Sequence, residues 1–211
     1  MTQTLGRNVS LPLEVPATPK LGDGIADPGP LGLAGFALTT FILSLSNAKI
    51  VPAEVGALFV PLALFYGGLV QLLAGMWEFK KNNTFGALAF SSYGGFWLGL
   101  GTLVILKSLK VLSFGDAATS DKATGLYLIA FTIFTLYMWV GTFKINNALL
   151  IVFSLLLITF VLLDLSHFAI IGSEVGGYFG LLTAFGAWYA SAAGVLNPLY
   201  KRTLLPVGPR S

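Results

Sequence analysis

The stretch Ala26-Asp27-Pro28-Gly29-Pro30-Leu31-Gly32-Leu33 decides the fold, because the chain turns from polar to apolar across it. Asp27 can accept hydrogen bonds from free backbone N–H groups, and Pro28 suits a first helical turn, where no N–H is needed. The stretch therefore predicts the start of a helix. A helix start attracts anions, so this one is either an anion-binding mouth or simply the cap of a first membrane helix.

The composition is that of a membrane protein. Of 211 residues, 55% are hydrophobic and 10% are charged, and the mean hydropathy is +0.83, whereas a soluble domain carries about 25% charge. The apolar blocks are continuous rather than alternating, which indicates helices and not a barrel. The net charge is only +3 and no basic run is interleaved with aromatic residues, so we expect no nucleic-acid partner. The chain contains no cysteine, which excludes disulfides and thiolate chemistry.

The apolar blocks predict a central membrane domain between two tails. A flexible tail is expected over residues 1–25, which lack the apolar core of a signal peptide, and a second tail over residues 199–211. Residues 26–198 are expected to form a six-helix transmembrane domain. The first block is short for a bilayer of about 30 Å, so the Asp27 end is expected within the membrane profile. The predicted spans are Leu31–Ser46, Glu54–Phe79, Thr84–Leu106, Thr124–Phe143, Asn147–Leu163 and Val175–Leu196.

A short repeat relates the connections after spans two and four. Phe79-Lys80-Lys81-Asn82-Asn83 and Phe143-Lys144-Ile145-Asn146-Asn147 both place a capping asparagine before the next span, as Asp27 precedes the first. This pattern predicts three hairpin-like units. Spans one, three and five would then enter from the same face and line a central path.

Six spans leave both termini on one side of the membrane, and the basic residues favour the cytoplasm for that side. The side of the termini carries Arg7, Lys20, Lys80, Lys81, Lys144, Lys201, Arg202 and Arg210. The opposite side carries Lys49, Lys107, Lys110 and Lys122. We therefore expect a multi-pass protein of the cell inner membrane with cytoplasmic termini.

Polar side chains within the spans are the candidate site residues. Phe36 and Thr40 are four apart with Thr39 adjacent, so one stripe combines a ring with hydroxyls, although such hydroxyls often bond only their own preceding turn. Gln71 lies between two glycines on one ridge and cannot face lipid cheaply, so it either joins helices or lines a pore. The run Ser91-Ser92-Tyr93-Gly94-Gly95 is equally poor lipid-facing material.

Enzymatic chemistry is not supported by the residues available. No charged residue lies deep in any predicted span, and the one histidine, His167, stands at the end of span five, as a proton sensor or a structural residue. An intramembrane protease would need a nucleophile beside a histidine or a pair of aspartates, and no cluster suits a metal. We expect no catalytic residue, no metal and no cofactor. The spans favour passage of a small, weakly hydrated or transiently protonated solute.

Several motifs occur in a fixed order: the opening stretch, then Phe65-Tyr66-Gly67-Gly68 with Gln71, Asn83-Thr84-Phe85-Gly86, Ser92-Tyr93-Gly94 and Arg202-Thr203-Leu204-Leu205-Pro206. Together they resemble the acetate uptake transporter family, the succinate–acetate permeases, from about residue 26 to about residue 208. The resemblance implies an all-α integral membrane fold, with six transmembrane helices per protomer and a hexameric assembly with one pore per protomer. It implies passage of acetate and related short-chain carboxylates such as succinate, either channel-like or proton-coupled.

The resemblance also implies where the site lies. One bulky residue on each odd span would form a narrow pore constriction, and these residues are Phe36, Tyr93 and Leu155. The implied substrate-binding residues are Asp27, Leu31, Thr39, Thr40, Gln71 and Tyr93. The family usually opens with Asn-Pro-Ala, whereas this chain has Asp-Pro-Gly, and an ionised Asp27 would repel an approaching carboxylate.

Two further functions fit a polar but uncharged path. A urea or short-amide channel needs the same kind of lining. A non-transporting membrane scaffold would account for the ridges of small residues alone.

Overall fold

The computed structural model describes residues 24–210, and the predicted tail over residues 1–25 lies almost wholly outside them. Within the described residues, six helices are long and apolar enough to cross a membrane, as the sequence predicts. They are α1 (Gly29–Asn47), α2 (Glu54–Lys80), α3 (Thr84–Ser108), α4 (Ala117–Thr142), α5 (Asn147–His167) and α6 (Glu174–Leu199).

The six helices form a ring in the order of the sequence, and α6 returns to pack against α1. Between α3 and α4, large side chains fill the space that the backbones leave. The rings of Phe96 and Phe131 have centroids 4.9 Å apart, and the Tyr127 hydroxyl donates to the Phe96 carbonyl at 2.7 Å. The Tyr93 and Thr135 hydroxyls are hydrogen-bonded at 2.8 Å. Aromatic packing therefore closes this side of the ring.

Glycines bring α6 close to two neighbours. A Cβ at Gly180 would lie 2.2 Å from the Ser44 hydroxyl of α1, and a Cβ at Gly176 would lie 2.9 Å from the Leu163 side chain of α5. Small residues permit this approach of helix backbones. The close contacts of α6 hold both α1 and α5 in place.

The second span is not the single regular helix that the sequence predicts. Pro61 has no N–H to donate, and the glycines that follow permit an irregular backbone. A Cβ at Gly67 would lie 2.5 Å from the Thr39 hydroxyl, so α1 and α2 touch at this irregular turn. The helical pieces are Ala53–Gly56, Phe59–Leu64, a π-helical turn at Phe65–Val70, and Gln71–Lys80.

The fourth helix begins two turns earlier than the predicted start at Thr124. Asp116 is the cap, because its carboxylate accepts a hydrogen bond from the Thr119 N–H at 2.8 Å. The Thr119 hydrogen bonds hold the pKa of Asp116 below its usual value. The first turns of α4 are polar, so hydrophobicity alone assigned them to the preceding connection.

Candidate functional site

Two of the odd helices, α3 and α5, begin with the caps that the repeat predicts, whereas α1 does not begin with Asp27. The Asn83 side chain accepts from the Gly86 N–H at 3.1 Å, and the Asn146 side chain accepts from the Leu149 N–H at 2.8 Å. At α1 the cap position is Pro28, and Asp27 accepts from the Gly29 N–H at 3.2 Å from one residue further back. These caps satisfy backbone donors that the first helical turn leaves free.

The starts of the three odd helices surround a cavity of about 560 Å³, here called cavity A. Gly29, Asn83 and Asn146 line it, one at the start of each odd helix. The ends of the same helices surround a second cavity of about 270 Å³, cavity B, which Asn47, Lys107 and His167 help to line. The three odd helices therefore enter from one face, as the repeat predicts.

The two cavities meet at a waist. Phe36 of α1 and Leu156 of α5 are the two described residues that line both cavities, and their side chains are 5% and 4% exposed. Tyr93 of α3 lines cavity A beside them, with its ring centroid 5.7 Å from that of Phe36. The cavities thus form an hourglass whose narrow part is lined by apolar and aromatic groups.

Leu155, the constriction residue that the resemblance implies, is not at the waist. It is partly exposed and lines neither cavity, whereas the next residue, Leu156, lines both. Adjacent residues on a helix point about 100° apart, so a shift by one residue changes the face. Because Leu155, Leu156 and Leu157 are identical residues in a row, the sequence does not distinguish the three faces.

The other implied binding residues fall into two groups. Asp27 and Gln71 line cavity A, and Thr40 lines cavity B. Thr39 is fully buried and lines neither cavity; it donates to the Gly35 carbonyl at 2.9 Å and packs on α2. Leu31 is 46% exposed and also lies outside both cavities. These positions favour a packing role for Thr39 and an outward position for Leu31.

Gln71 and Thr40 share a property that the other lining residues rarely have. Both are buried, at 1% and 6% exposure, and the Gln71 Oε1 and Thr40 Oγ1 atoms have no hydrogen-bond partner. Buried polar atoms are normally paired, since an unpaired one costs about 1–3 kcal/mol. Such atoms beside a cavity are therefore candidates for contact with a solute or with water.

The mouth of cavity A contains two carboxyl groups, one of which the sequence reasoning missed. Asp27 is paired with Lys81, whose Nζ lies 3.4 Å from its Oδ1, so its charge is partly offset. Glu78 of α2 is only 2% exposed, lines the cavity, and accepts a hydrogen bond from the Asn83 side chain at 2.8 Å. Glu78 directly precedes the repeated segment Phe79–Asn83, but Thr142 has the same place before the second segment, so the repeat gave no signal for it.

The mouth of cavity B is also polar. Lys107, Asp121, Thr124 and His167 line it, and the Lys107 ammonium group donates to the Thr124 hydroxyl at 3.4 Å. Charged groups of both signs therefore lie at this mouth, at the opposite end of cavity B from the apolar waist.

The residues after α6, where the sequence predicts a C-terminal tail, fold back against the start of α5. The carbonyls of Gly208 and Val207 accept from the Asn147 and Ala148 N–H groups at 2.8 and 3.0 Å, which occupies free donors at the start of α5. Arg210 donates to the Phe143 carbonyl at 3.1 Å. We call residues 203–210 the strap. Because Val207 lines cavity A, the strap forms part of its rim.

A path through the middle of a six-helix bundle, with polar mouths and an uncharged waist, defines a membrane channel or transporter. Comparison with protein families places it more narrowly. Residues 12–209 match the GPR1/FUN34/yaaH family, and the chain belongs to that family.

Named relatives and a solved structure agree with this assignment. The succinate-acetate/proton symporter SatP of Escherichia coli K12 is 39% identical over 186 residues, which cover 87% of this chain and 96% of the relative. The ammonia transport outward protein 2 of Saccharomyces cerevisiae is 42% identical over 174 residues, 81% of this chain. The chain spans 61% of the length of that yeast relative. The structure of the bacterial acetate channel SatP matches with a TM-score of 0.80 at 37% identity, over 87% of this chain and 99% of that one.

Proposed function

We propose that this protein carries acetate and related short-chain carboxylates across a membrane, through cavity A, the waist and cavity B. The observation that carries the proposal is the hourglass itself, in which Phe36 and Leu156 separate two cavities inside one chain. The names of the relatives SatP and of the matching acetate channel support the choice of solute. The function is transport, and it involves no chemical reaction and no cofactor.

The pore constriction of this proposal consists of Phe36, Tyr93 and Leu156. Its width selects for small solutes, and its apolar surface disfavours a solute that keeps a full hydration shell. The proposed substrate contacts are Gln71 on the side of cavity A and Thr40 on the side of cavity B. Asp27, at the mouth, acts through its ion pair with Lys81, because that pair weakens the repulsion of an incoming carboxylate.

Channel-like passage is the favoured mode. No titratable carboxyl, histidine or lysine is among the described residues that line both cavities, so the waist offers no proton relay. Glu78 and His167 stand at the two mouths and are the groups through which protons could influence transport. Proton-coupled transport is therefore an outcome that the flux experiment must distinguish.

We propose the assembly and orientation on the same basis. The family resemblance favours a hexamer with one pore per protomer, in the cell inner membrane, with cytoplasmic termini. An apolar stripe runs along the outside of α6 and suits contact with lipid or with another protomer. It consists of Val175, Tyr178, Leu182, Phe185 and Tyr189, which are exposed in the single chain. The mass of the purified protein in detergent tests the hexamer.

The test of the function is flux into proteoliposomes. Radiolabelled acetate uptake should exceed that of protein-free vesicles, and unlabelled acetate should compete. Uptake should not depend on an imposed pH gradient beyond the amount that acetic acid partitioning explains. A strict dependence of uptake on the pH gradient would show that the protein is a proton symporter and not a channel.

Two other solutes are measured in the same vesicles. Urea flux that acetate cannot inhibit would favour the amide channel, and ammonia flux without acetate flux would favour the activity in the name of the yeast relative. Absence of flux for all three solutes would leave the scaffold as the remaining function.

A further inference from the structure

One helical turn beyond the waist, two odd helices carry hydrogen-bond donors on residues that line cavity B. Thr40 follows Phe36 by four residues on α1, and Trp97 follows Tyr93 by four residues on α3. Residues four apart lie on the same helix face, so each donor lies directly behind a residue of the constriction. Both Thr40 and Trp97 line cavity B.

The Thr40 hydroxyl differs from other buried threonine hydroxyls in the described chain. Thr39, Thr159 and Thr183 each donate to the carbonyl four residues earlier, at 2.8 or 2.9 Å. The Thr40 Oγ1 atom makes no such bond and has no other partner, although the side chain is only 6% exposed. A helix offers every threonine this local bond. The Thr40 hydroxyl is therefore left without a partner in a residue that lines cavity B.

The Trp97 indole is in the same situation. Its side chain is 3% exposed, and its Nε1 atom has no hydrogen-bond partner. By contrast, the Nε1 of Trp139 donates to the Ser154 hydroxyl at 2.8 Å. The ring of Trp97 is held edge-on against that of Phe96, with centroids 4.9 Å apart. The indole N–H is thus fixed in position while its hydrogen-bonding capacity is unused.

We propose that Thr40 and Trp97 form a binding subsite for a carboxylate group that has just crossed the waist. This inference rests on the proposed function and adds Trp97 as a specificity-determining residue. The indole N–H and the hydroxyl O–H each donate one hydrogen bond to the carboxylate, and a carboxylate offers two acceptor oxygens. Because a carboxylate has two acceptor oxygens, it can pair with both donors. Bonds to an ionised acceptor are shorter and stronger than neutral ones, which favours a carboxylate at this subsite.

The donor set discriminates among the three candidate solutes. An indole N–H can only donate, so an ammonium ion, which also only donates, leaves Trp97 unpaired. The carbonyl oxygen of urea can accept from both groups, but the two bonds are neutral. A short carboxylate accepts charge-assisted bonds from both groups, which are about twice as strong, so the pair of donors favours the carboxylate.

The test replaces each donor by an apolar side chain that cannot donate. Trp97→Phe keeps an aromatic ring, and Thr40→Val keeps the branched shape. Each variant should raise the acetate concentration that gives half-maximal flux about tenfold, which corresponds to the loss of one charge-assisted hydrogen bond. Thr40→Ser, which retains the hydroxyl, should restore the concentration dependence. Trp77→Phe is the matched control, because Trp77 is 55% exposed and lines neither cavity.

A binding measurement separates this proposal from the proposed function. Acetate should raise the thermal unfolding temperature of the wild-type protein and raise that of Trp97→Phe less. Without acetate, Trp97→Phe should unfold earlier than the wild type, because Trp97 is 3% exposed and the smaller ring leaves unfilled space. A packing role alone predicts the same acetate-induced shift in both proteins, so the size of that shift distinguishes the two roles.

The outcomes are distinct. If the wild type carries acetate and both variants keep its concentration dependence, the subsite is wrong and water alone meets these donors, while the proposed function stands. If the wild type carries no acetate, the proposed function fails. An equal acetate-induced thermal shift in the wild type and both variants would then overturn the subsite as well.

Discussion

Replacing Leu156 by alanine tests the position of the waist, with Leu155→Ala as the matched control. The leucine side chain lies between the two cavities and is 4% exposed, so its loss opens space that joins them. At about 0.8 kcal/mol for each buried methylene, the loss of stability should be about 2–3 kcal/mol. This is the lower part of the range for buried leucines, because two sides of this residue already face cavities.

Leu156→Ala should also change which solutes pass, in addition to its effect on stability. The wider waist should admit four-carbon acids, and the ratio of butyrate flux to acetate flux should rise about tenfold, a barrier decrease of about 1.4 kcal/mol. Leu155→Ala should leave that ratio unchanged, since Leu155 lines neither cavity. Flux of both acids into proteoliposomes at equal protein density measures the ratio. An altered ratio in Leu155→Ala together with a normal one in Leu156→Ala would refute the assignment.

Two further substitutions test the framework around the waist. Gly35→Ala puts a Cβ 2.5 Å from a backbone carbonyl of the π-helical turn, so the free energy of unfolding should fall by about 1–3 kcal/mol. Gly95→Ala is the control, because the space around Gly95 is open and the substitution should be neutral or stabilising. Equal unfolding temperatures for the two variants would contradict the close packing of α1 on α2. Arg210→Ala should loosen the strap and speed hydrogen exchange at the Asn147 amide, whereas the control Arg202→Ala should not. Unchanged exchange in both variants would show that Arg210 does not hold the strap.

Much of the fold could be predicted from the sequence because its signals are local. Continuous apolar blocks fix the number of spans, and the capping asparagines Asn83 and Asn146 fix where two odd helices begin. Because these caps mark the N-terminal ends of α3 and α5 after two similar connections, they also predict that the odd helices enter the membrane from the same face. The early start of α4 was missed because its polar first turns depend on the cap at Asp116 and not on hydropathy.

The candidate site was less predictable because it depends on helix rotation and on distant contacts. The choice between Leu155 and Leu156 depends on a rotation of about 100° within a uniform leucine run. Thr39 and Thr40 are adjacent in the sequence, and only the structure shows that α2 covers Thr39 while Thr40 lines cavity B. The strap depends on contacts between residues more than 60 positions apart, such as the 63 between Arg210 and Asn147, and no local pattern predicts such contacts.

The strap has a consequence for biosynthesis. Because the ribosome makes α5 well before residues 207 and 208, the first turn of α5 enters the membrane with donors still open, and water or another group must satisfy them in the meantime. The bundle is therefore sealed late in translation, after α6 has been inserted. A ribosome stalled between α6 and the strap would hold a chain with all its membrane segments and an unfinished rim.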